Sequence, residues 1–263
     1  MKIYIAVDME GISGVALKEQ GMVGTWEYQE ARQLYIGDAN AAVEGALEAD
    51  ADEVIVADKH GRGFHFPLDK LHPQARYLMG TRHWPRFPFL EGSDAMFLVG
   101  YHAMSGTPNA VRDHTMSSAN WQDLWINGRQ VGEVGIDAAI AGHYGVPVTL
   151  VTGDDKVCSE AQELLGEIET AEVKQSVARH QALLLPPPVA QELIRQKARR
   201  AVERIGETAP WRIPGPVEIT LRYSGTDLAE DHPFDGERIV RVDGRTVLYR
   251  GQDVLDTLRL VLT

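Results

Sequence analysis

Asp8 and Glu10 stand two residues apart at the end of the first apolar run, Lys2-Ile3-Tyr4-Ile5-Ala6-Val7-Asp8-Met9-Glu10. In an extended strand, alternate side chains share a face, so both carboxylates point the same way. Such a pair repels unless a proton or a cation lies between its members. An acidic strand end that merely caps the Gly11-Ile12-Ser13-Gly14 turn is the plain alternative. Further residues argue for a cation. His60 follows the apolar run 53–58 and His102 follows 95–100, so both imidazoles fall just past predicted strands. Imidazole and carboxylate are ligand types that zinc accepts. Glu133 opens a predicted helix between Gly132 and Gly135, although a glutamate in a first helical turn is also favoured by the helix dipole without any metal.

Charge counting favours two divalent ions over one. Against the roughly +4 of such a pair, Asp8, Glu10 and Glu133 bring about −3, and the remainder suits a bridging hydroxide. Five ligands over-fill one tetrahedral zinc but leave open positions on two. If Asp8 bridges, each ion receives about three protein ligands, the usual catalytic number. Mixed oxygen and nitrogen donors also suit manganese or cobalt. His114, in Val111-Arg112-Asp113-His114, follows a glycine-containing loop that can fold it toward His102. A histidine beside such a centre, without ligating, moves protons or stabilises an oxyanion. As a surface histidine next to Asp113 it would do neither. His65, His72, His83, His143, His180 and His232 have no comparable setting, and Asp154-Asp155 reads mainly as a helix cap.

The elements that must position these residues alternate along the chain. Ala31, Leu34, Tyr35, Ala39, Ala42, Val43, Ala46 and Leu47 recur at three- and four-residue spacing, one buried helix face. Segments 53–58 and 95–100 read as buried strands, 125–131 as a hairpin turning at Asn127-Gly128, 133–143 as a helix, and 147–151 as a strand before a helix near 159–165. The expectation is an α/β fold, a mostly parallel sheet with flanking helices. Pro186-Pro187-Pro188 and the Pro-rich stretch 209–216 punctuate the rest, which holds a charged helix over 189–205, strands at 217–223 and near 238–242, and a helix over 253–262. These mark a catalytic domain at 1–185 and a smaller C-terminal α+β domain at 186–263.

Composition narrows the classes. A net charge of −12 leaves no basic stripe for nucleic acid and suits an anionic membrane surface poorly. No apolar run approaches the roughly 20 residues that span a bilayer. The N-terminus enters a strand pattern directly, with no signal segment. One cysteine, Cys158, allows no internal disulfide and fits a cytoplasmic location. There is no dinucleotide or phosphate-loop glycine motif, no His-Glu-x-x-His and no Gly-x-Ser-x-Gly.

Val7-Asp8-Met9-Glu10-Gly11-Ile12-Ser13-Gly14, Leu71-His72-Pro73, Gly100-Tyr101-His102-Ala103, Asn127-Gly128-Arg129-Gln130-Val131-Gly132-Glu133 and Gly153-Asp154-Asp155, taken together, resemble the DppA-type zinc D-aminopeptidase family. The likeness runs in order to about residue 175 and more loosely beyond. It implies two zinc ions on Asp8, Glu10, His60, His102 and Glu133, with Asp8 as the bridge and His114 as the catalytic histidine. It also implies a homo-oligomer, commonly a ring-shaped decamer. Two departures bear on substrate preference: Asp58-Lys59-His60-Gly61 at the second ligand, and an extra residue between His102 and His114, with Arg112-Asp113 before the histidine. The expected activity is a dizinc aminopeptidase releasing N-terminal residues from short peptides, including D-amino-acid peptides, by attack of a metal-bridged hydroxide. The rivals are a dinuclear metal phosphoesterase, with Lys59, Arg62 and Arg112 as phosphate-binding cations, and a non-enzymatic metal-binding scaffold.

Overall fold

The computed structural model describes residues 1–81, 84–230 and 232–262; of the histidines set aside above, His83 lies outside the described residues. Seven strands form the main sheet: β1 (Lys2–Val7), β2 (Glu53–Asp58), β3 (Arg76–Leu78), β4 (Ala95–Val99) and, after a two-stranded excursion, β7 (Val148–Asp154), β8 (Glu169–Ala178) and β9 (Gln181–Leu184). Their order is β3-β2-β1-β4-β7-β8-β9, and every pairing is parallel except β8 with β9. The excursion, β5 (Trp121–Ile126) and β6 (Arg129–Gln130), turns at Asn127 and Gly128, both at positive φ. It joins β10 (Val217–Tyr223), β11 (Ile239–Arg241) and β12 (Thr246–Gly251) in an antiparallel sheet ordered β11-β12-β10-β5-β6.

Both faces of the inner strands β1, β2, β4 and β7 are covered, which is why these four are almost wholly buried and mostly apolar. Ile3, Ile5 and Val7 of β1 point into a core shared with α1 (Trp26–Glu48) and α4 (Pro187–Glu203). Tyr4 and Ala6, of opposite parity, enter a second core with α2 (Glu133–His143), α3 (Asp155–Leu165), the antiparallel sheet and α6 (Val254–Leu262). A short α5 (Thr226–Glu230) follows β10. Thr25 caps α1 by accepting from the Tyr28 amide at 3.2 Å.

Sheet membership follows a different line from the expected split at 186. The β5–β6 hairpin crosses into the C-terminal sheet, where β5 pairs with β10, while α4, beyond 186, packs on α1 against the main sheet. Proline runs mark chain breaks, but burying the apolar faces of α4 and β5 decides which layer each joins. β8 and β9 were not expected. β8 mixes buried and exposed positions and carries Glu169, Glu172 and Lys174, and β9 is four mostly exposed residues, so neither shows an apolar run.

The strand order reverses between β1 and β4, because the chain leaves β1 toward β2 and β3 and returns on the other side. A crevice opens outside the carboxyl ends of the strands at such a point, and ligands bind there. The chain after β1 turns tightly against the end of β4. A Cβ on Gly11 would lie 1.9 Å from the Tyr101 carbonyl oxygen, so no larger residue fits.

Candidate metal centre and active site

Asp8 directly follows β1, its amide still donating to the Val99 carbonyl at 2.8 Å. Glu10 sits in the turn rather than on the strand, so a bend and not strand alternation brings it beside Asp8. His60 and His102 arrive from the ends of β2 and β4, as their positions in the sequence imply. Asp8 lies between them: Oδ1 is 3.3 Å from His60 Nδ1, and Oδ2 is 3.4 Å from His102 Nε2. Glu10 Oε2 approaches His60 Nδ1 at 3.2 Å, and Glu133 Oε1 approaches His102 Nε2 at 3.3 Å. The result is two adjoining groups of possible ligands, Asp8-Glu10-His60 and His102-His114-Glu133.

The outward nitrogens of the two histidines decide what their inward nitrogens can do. His60 Nε2 faces the Gly21 carbonyl at 3.1 Å, and His102 Nδ1 faces the Ala103 carbonyl at 3.0 Å. A carbonyl only accepts, so each outward nitrogen carries the hydrogen. In a neutral ring the inward nitrogen then presents a lone pair to carboxylate oxygens. That is repulsive unless positive charge lies between them. Burial disfavours an imidazolium at both residues, yet the facing carboxylates outweigh it and push both histidines well above the ordinary imidazole range. Burial likewise disfavours charge on Asp8, Glu10 and Glu133, and the histidines overcome it, holding all three carboxyls low. Glu10 Oε2 and His102 Nε2 are buried without a hydrogen-bond partner. Orphaned donor atoms in an N/O set of this kind fit divalent metal ions, zinc included.

Glu133 enters from the first turn of α2 and is held from two sides. Its Oε1 accepts from the Met116 amide at 2.8 Å, and its Oε2 lies 3.5 Å from Arg86 Nη2. Arg86 is buried and bidentate on Asp137, with bonds of 2.5 and 3.0 Å, and Tyr101 Oη donates to the same carboxylate at 2.6 Å. Asp137, one helical turn beyond Glu133, thus fixes the guanidinium that orients the ligand. Gly132 allows the helix start to come this close, since a Cβ there would sit 2.7 Å from that of Met104.

His114 is folded back as its loop implied. Its ring stacks on His102, with centroids 3.9 Å apart and planes at 11°. Nδ1 donates to the Arg112 carbonyl at 2.8 Å, leaving Nε2 as the acceptor, 3.6 Å from Glu133 Oε1. Asp154 tethers this loop: Oδ2 accepts from the Val111 amide at 2.9 Å, while Oδ1 caps α3 through the amides of Lys156 and Val157. A cavity of about 270 Å³ opens above the cluster, lined by Asp8, Glu10, His60, His114 and Glu133 together with Lys18, Met22, Lys59, Arg112, Met116 and Ser117–Ala119.

Several supporting residues carry no signal in the sequence. Lys174 is buried; its Nζ donates to the carbonyls of Glu10, Ile12 and Val15 at 2.7, 2.9 and 2.6 Å, pinning the turn that presents Glu10. Burial pulls its ammonium down to about 8. Arg86, in Trp84-Pro85-Arg86-Phe87, and Glu160, which accepts from the Met104 amide at 2.8 Å, are equally unmarked. Burial pushes Glu160 up to about 7. Only Asp137, four residues after Glu133, has a spacing that could have drawn attention. Cys158 is buried within α3 as a free thiol.

A family model described as D-aminopeptidase matches residues 1–263. The D-aminopeptidase of Bacillus subtilis (strain 168) is 32% identical over 266 residues, spanning 100% of this chain and 96% of that protein. A solved structure described as the Zn-dependent D-aminopeptidase DppA from Bacillus subtilis, a self-compartmentalizing protease, superposes with a TM-score of 0.91 at 31% identity, covering 100% of this chain and 96% of that one. No helix among the described residues is long and apolar enough to cross a membrane.

Proposed function

The chain belongs to the D-aminopeptidase family along its whole length, and from that footing we propose that it cleaves the N-terminal residue from short peptides using two zinc ions held by Asp8, Glu10, His60, His102 and Glu133. The carrying observation is Asp8: its two oxygens face two different histidines, each with its lone pair turned inward. Asp8 would therefore be shared between two ions, with Glu10 and His60 available to one and His102 and Glu133 to the other. The zinc dependence of the DppA structure supports the metal.

When bound, zinc lowers the pKa of a water molecule and polarises a carbonyl. The chain supplies the rest. His60 and His102 are kept in one tautomer by the carbonyls of Gly21 and Ala103, so their ligand atoms stay aimed inward. Arg86 and the Met116 amide hold Glu133 in place. His114, whose Nδ1 donates to the Arg112 carbonyl, offers Nε2 to accept a proton and return it to the leaving amine. The substrate's free amino group would lie, as a neutral amine, at the metal cluster beside Glu10 and Asp8.

The phosphate-binding role open to Lys59 in the sequence is weakened, because its ammonium donates to the Arg86 carbonyl at 2.7 Å beneath the site. Likeness to a self-compartmentalizing relative supports a homo-oligomer as the working form, and the family resemblance read from the sequence makes it a ring-shaped decamer. The deciding assay is amino-acid release from D-Ala and L-Ala dipeptides, free and N-acetylated, by zinc-loaded and chelator-stripped protein. Zinc-dependent release from free N-termini only is expected, and the D/L ratio reads the stereochemical preference. Hydrolysis of bis-p-nitrophenyl phosphate with no peptide cleavage would overturn the peptidase.

A further inference from the structure

The lining of the cavity carries cations that the metal cluster does not need. Arg112 is partly buried there, and its guanidinium has no hydrogen bond or ion pair among the described residues. Arg179, by contrast, pairs with Asp113, and Arg86 with Asp137. Lys18, on the same cavity, likewise has an ammonium without a partner. Arg112 also occupies a costly backbone state, φ +54°. Glycine or asparagine would hold that bend with less strain, and a bulky side chain kept in such a position points to a use for the side chain. Its backbone is clamped on both sides: the amide donates to the Arg179 carbonyl at 3.0 Å, and the carbonyl accepts from His114 Nδ1 at 2.8 Å. The residue that orients the catalytic histidine therefore also presents a fixed cation to the substrate cavity.

Resting on the aminopeptidase reading, we propose that Arg112, assisted by Lys18, binds the C-terminal carboxylate of the substrate and makes the enzyme selective for dipeptides with a free C-terminus. A planar guanidinium matches a carboxylate with two parallel hydrogen bonds. In a dipeptide that carboxylate lies one residue beyond the scissile carbonyl, and each further residue moves it by up to about 3.5 Å. The cavity, about 270 Å³, falls just below the roughly 300–1,000 Å³ of drug-sized ligand sites, in keeping with a two-residue occupant. Arg112 and Lys18 are the cations of the lining that neither the metal ligands nor the Arg86 carbonyl engage, so one orientation is favoured: scissile carbonyl at the ligand cluster, carboxylate toward Arg112 and Lys18.

The test compares zinc-loaded hydrolysis of D-Ala-D-Ala with that of its C-terminal amide, in the wild type and in Arg112→Asn and Arg112→Lys. Asparagine tolerates the left-handed backbone, so the loop keeps its course. The expected wild-type preference for the free acid is about 10–100-fold in kcat/KM, the usual range for one charge-assisted contact. In Arg112→Asn the acid-to-amide ratio falls toward one, with the change carried by KM of the acid, and Arg112→Lys restores part of it. Equal rates for acid and amide in the wild type would overturn the inference while leaving the aminopeptidase intact. So would an Arg112→Asn variant that slows both substrates alike through kcat, since that pattern belongs to a displaced His114. Cleavage of neither substrate, nor of the matching L-Ala-L-Ala acid and amide, would overturn the aminopeptidase reading, and the inference with it.

Discussion

His114 and Asp8 make separable demands on the site. His114 lines the cavity, and its Nε2 is 3.6 Å from Glu133 Oε1, farther than the 3.2–3.4 Å of the His60 and His102 contacts with the site's carboxylates, so His114→Ala should lower kcat by about 10²–10⁴-fold while both zinc ions stay bound. Loss of one zinc, measured by atomic absorption, would instead make His114 a ligand. Asp8→Asn removes the shared charge and should empty both positions. All five proposed ligands were legible in the sequence because each sits at or just past an element end, where a polar residue in an apolar context stands out. Arg86, Lys174 and Glu160 were not. Each acts through burial created by distant segments, and a lone charged residue in a loop (Arg86), a strand (Lys174) or a helix (Glu160) reads as solvated until those segments are in place.

Elements reach the site through their ends, and the loop from Ala103 to Met116 is the least regular of them. Asp154 joins that loop to the start of α3 with three hydrogen bonds from buried or half-buried amides. Asp154→Ala should destabilise the fold by about 1–3 kcal/mol, one lost cap plus one unsatisfied amide, and should lower kcat as His114 loses its support. Denaturant unfolding checks the first effect; full activity in a destabilised variant would detach the loop from catalysis. Most elements were readable from periodicity, including β10, α2 and the Asn127-Gly128 hairpin. The partner of that hairpin was not. Pairing β5 with β10 joins residues about 100 positions apart, and no local pattern encodes such a choice. Likewise α4 shows an apolar stripe, but its docking on α1 depends on small residues, with Gly45 set against the backbone of Arg195.

At the scale of the whole molecule, buried carboxyls link stability to pH. Asp38 of α1 accepts from the Ser13 amide at 2.8 Å and from Ser13 Oγ at 2.6 Å, tying the site turn to the helix layer. Burial pushes its carboxyl from 3.8 up to about 6, so the folded state holds this proton longer than the unfolded chain does. Its contribution to stability is present below about pH 4 and is lost as pH rises through about 6. In metal-free protein, Asp38→Asn should therefore gain melting temperature relative to wild type between pH 4 and pH 7; parallel pH profiles would contradict this. The proposed decamer predicts a sedimenting species about ten times the 29.1 kDa chain, and a monomer would refute it. The central claim is a bridged pair of metal ions, and anomalous diffraction at the zinc edge on zinc-loaded crystals tests it most directly. Two peaks about 3.5–4 Å apart are expected, one on each side of the Asp8 carboxylate. A single peak, or two that do not share Asp8, would contradict the account.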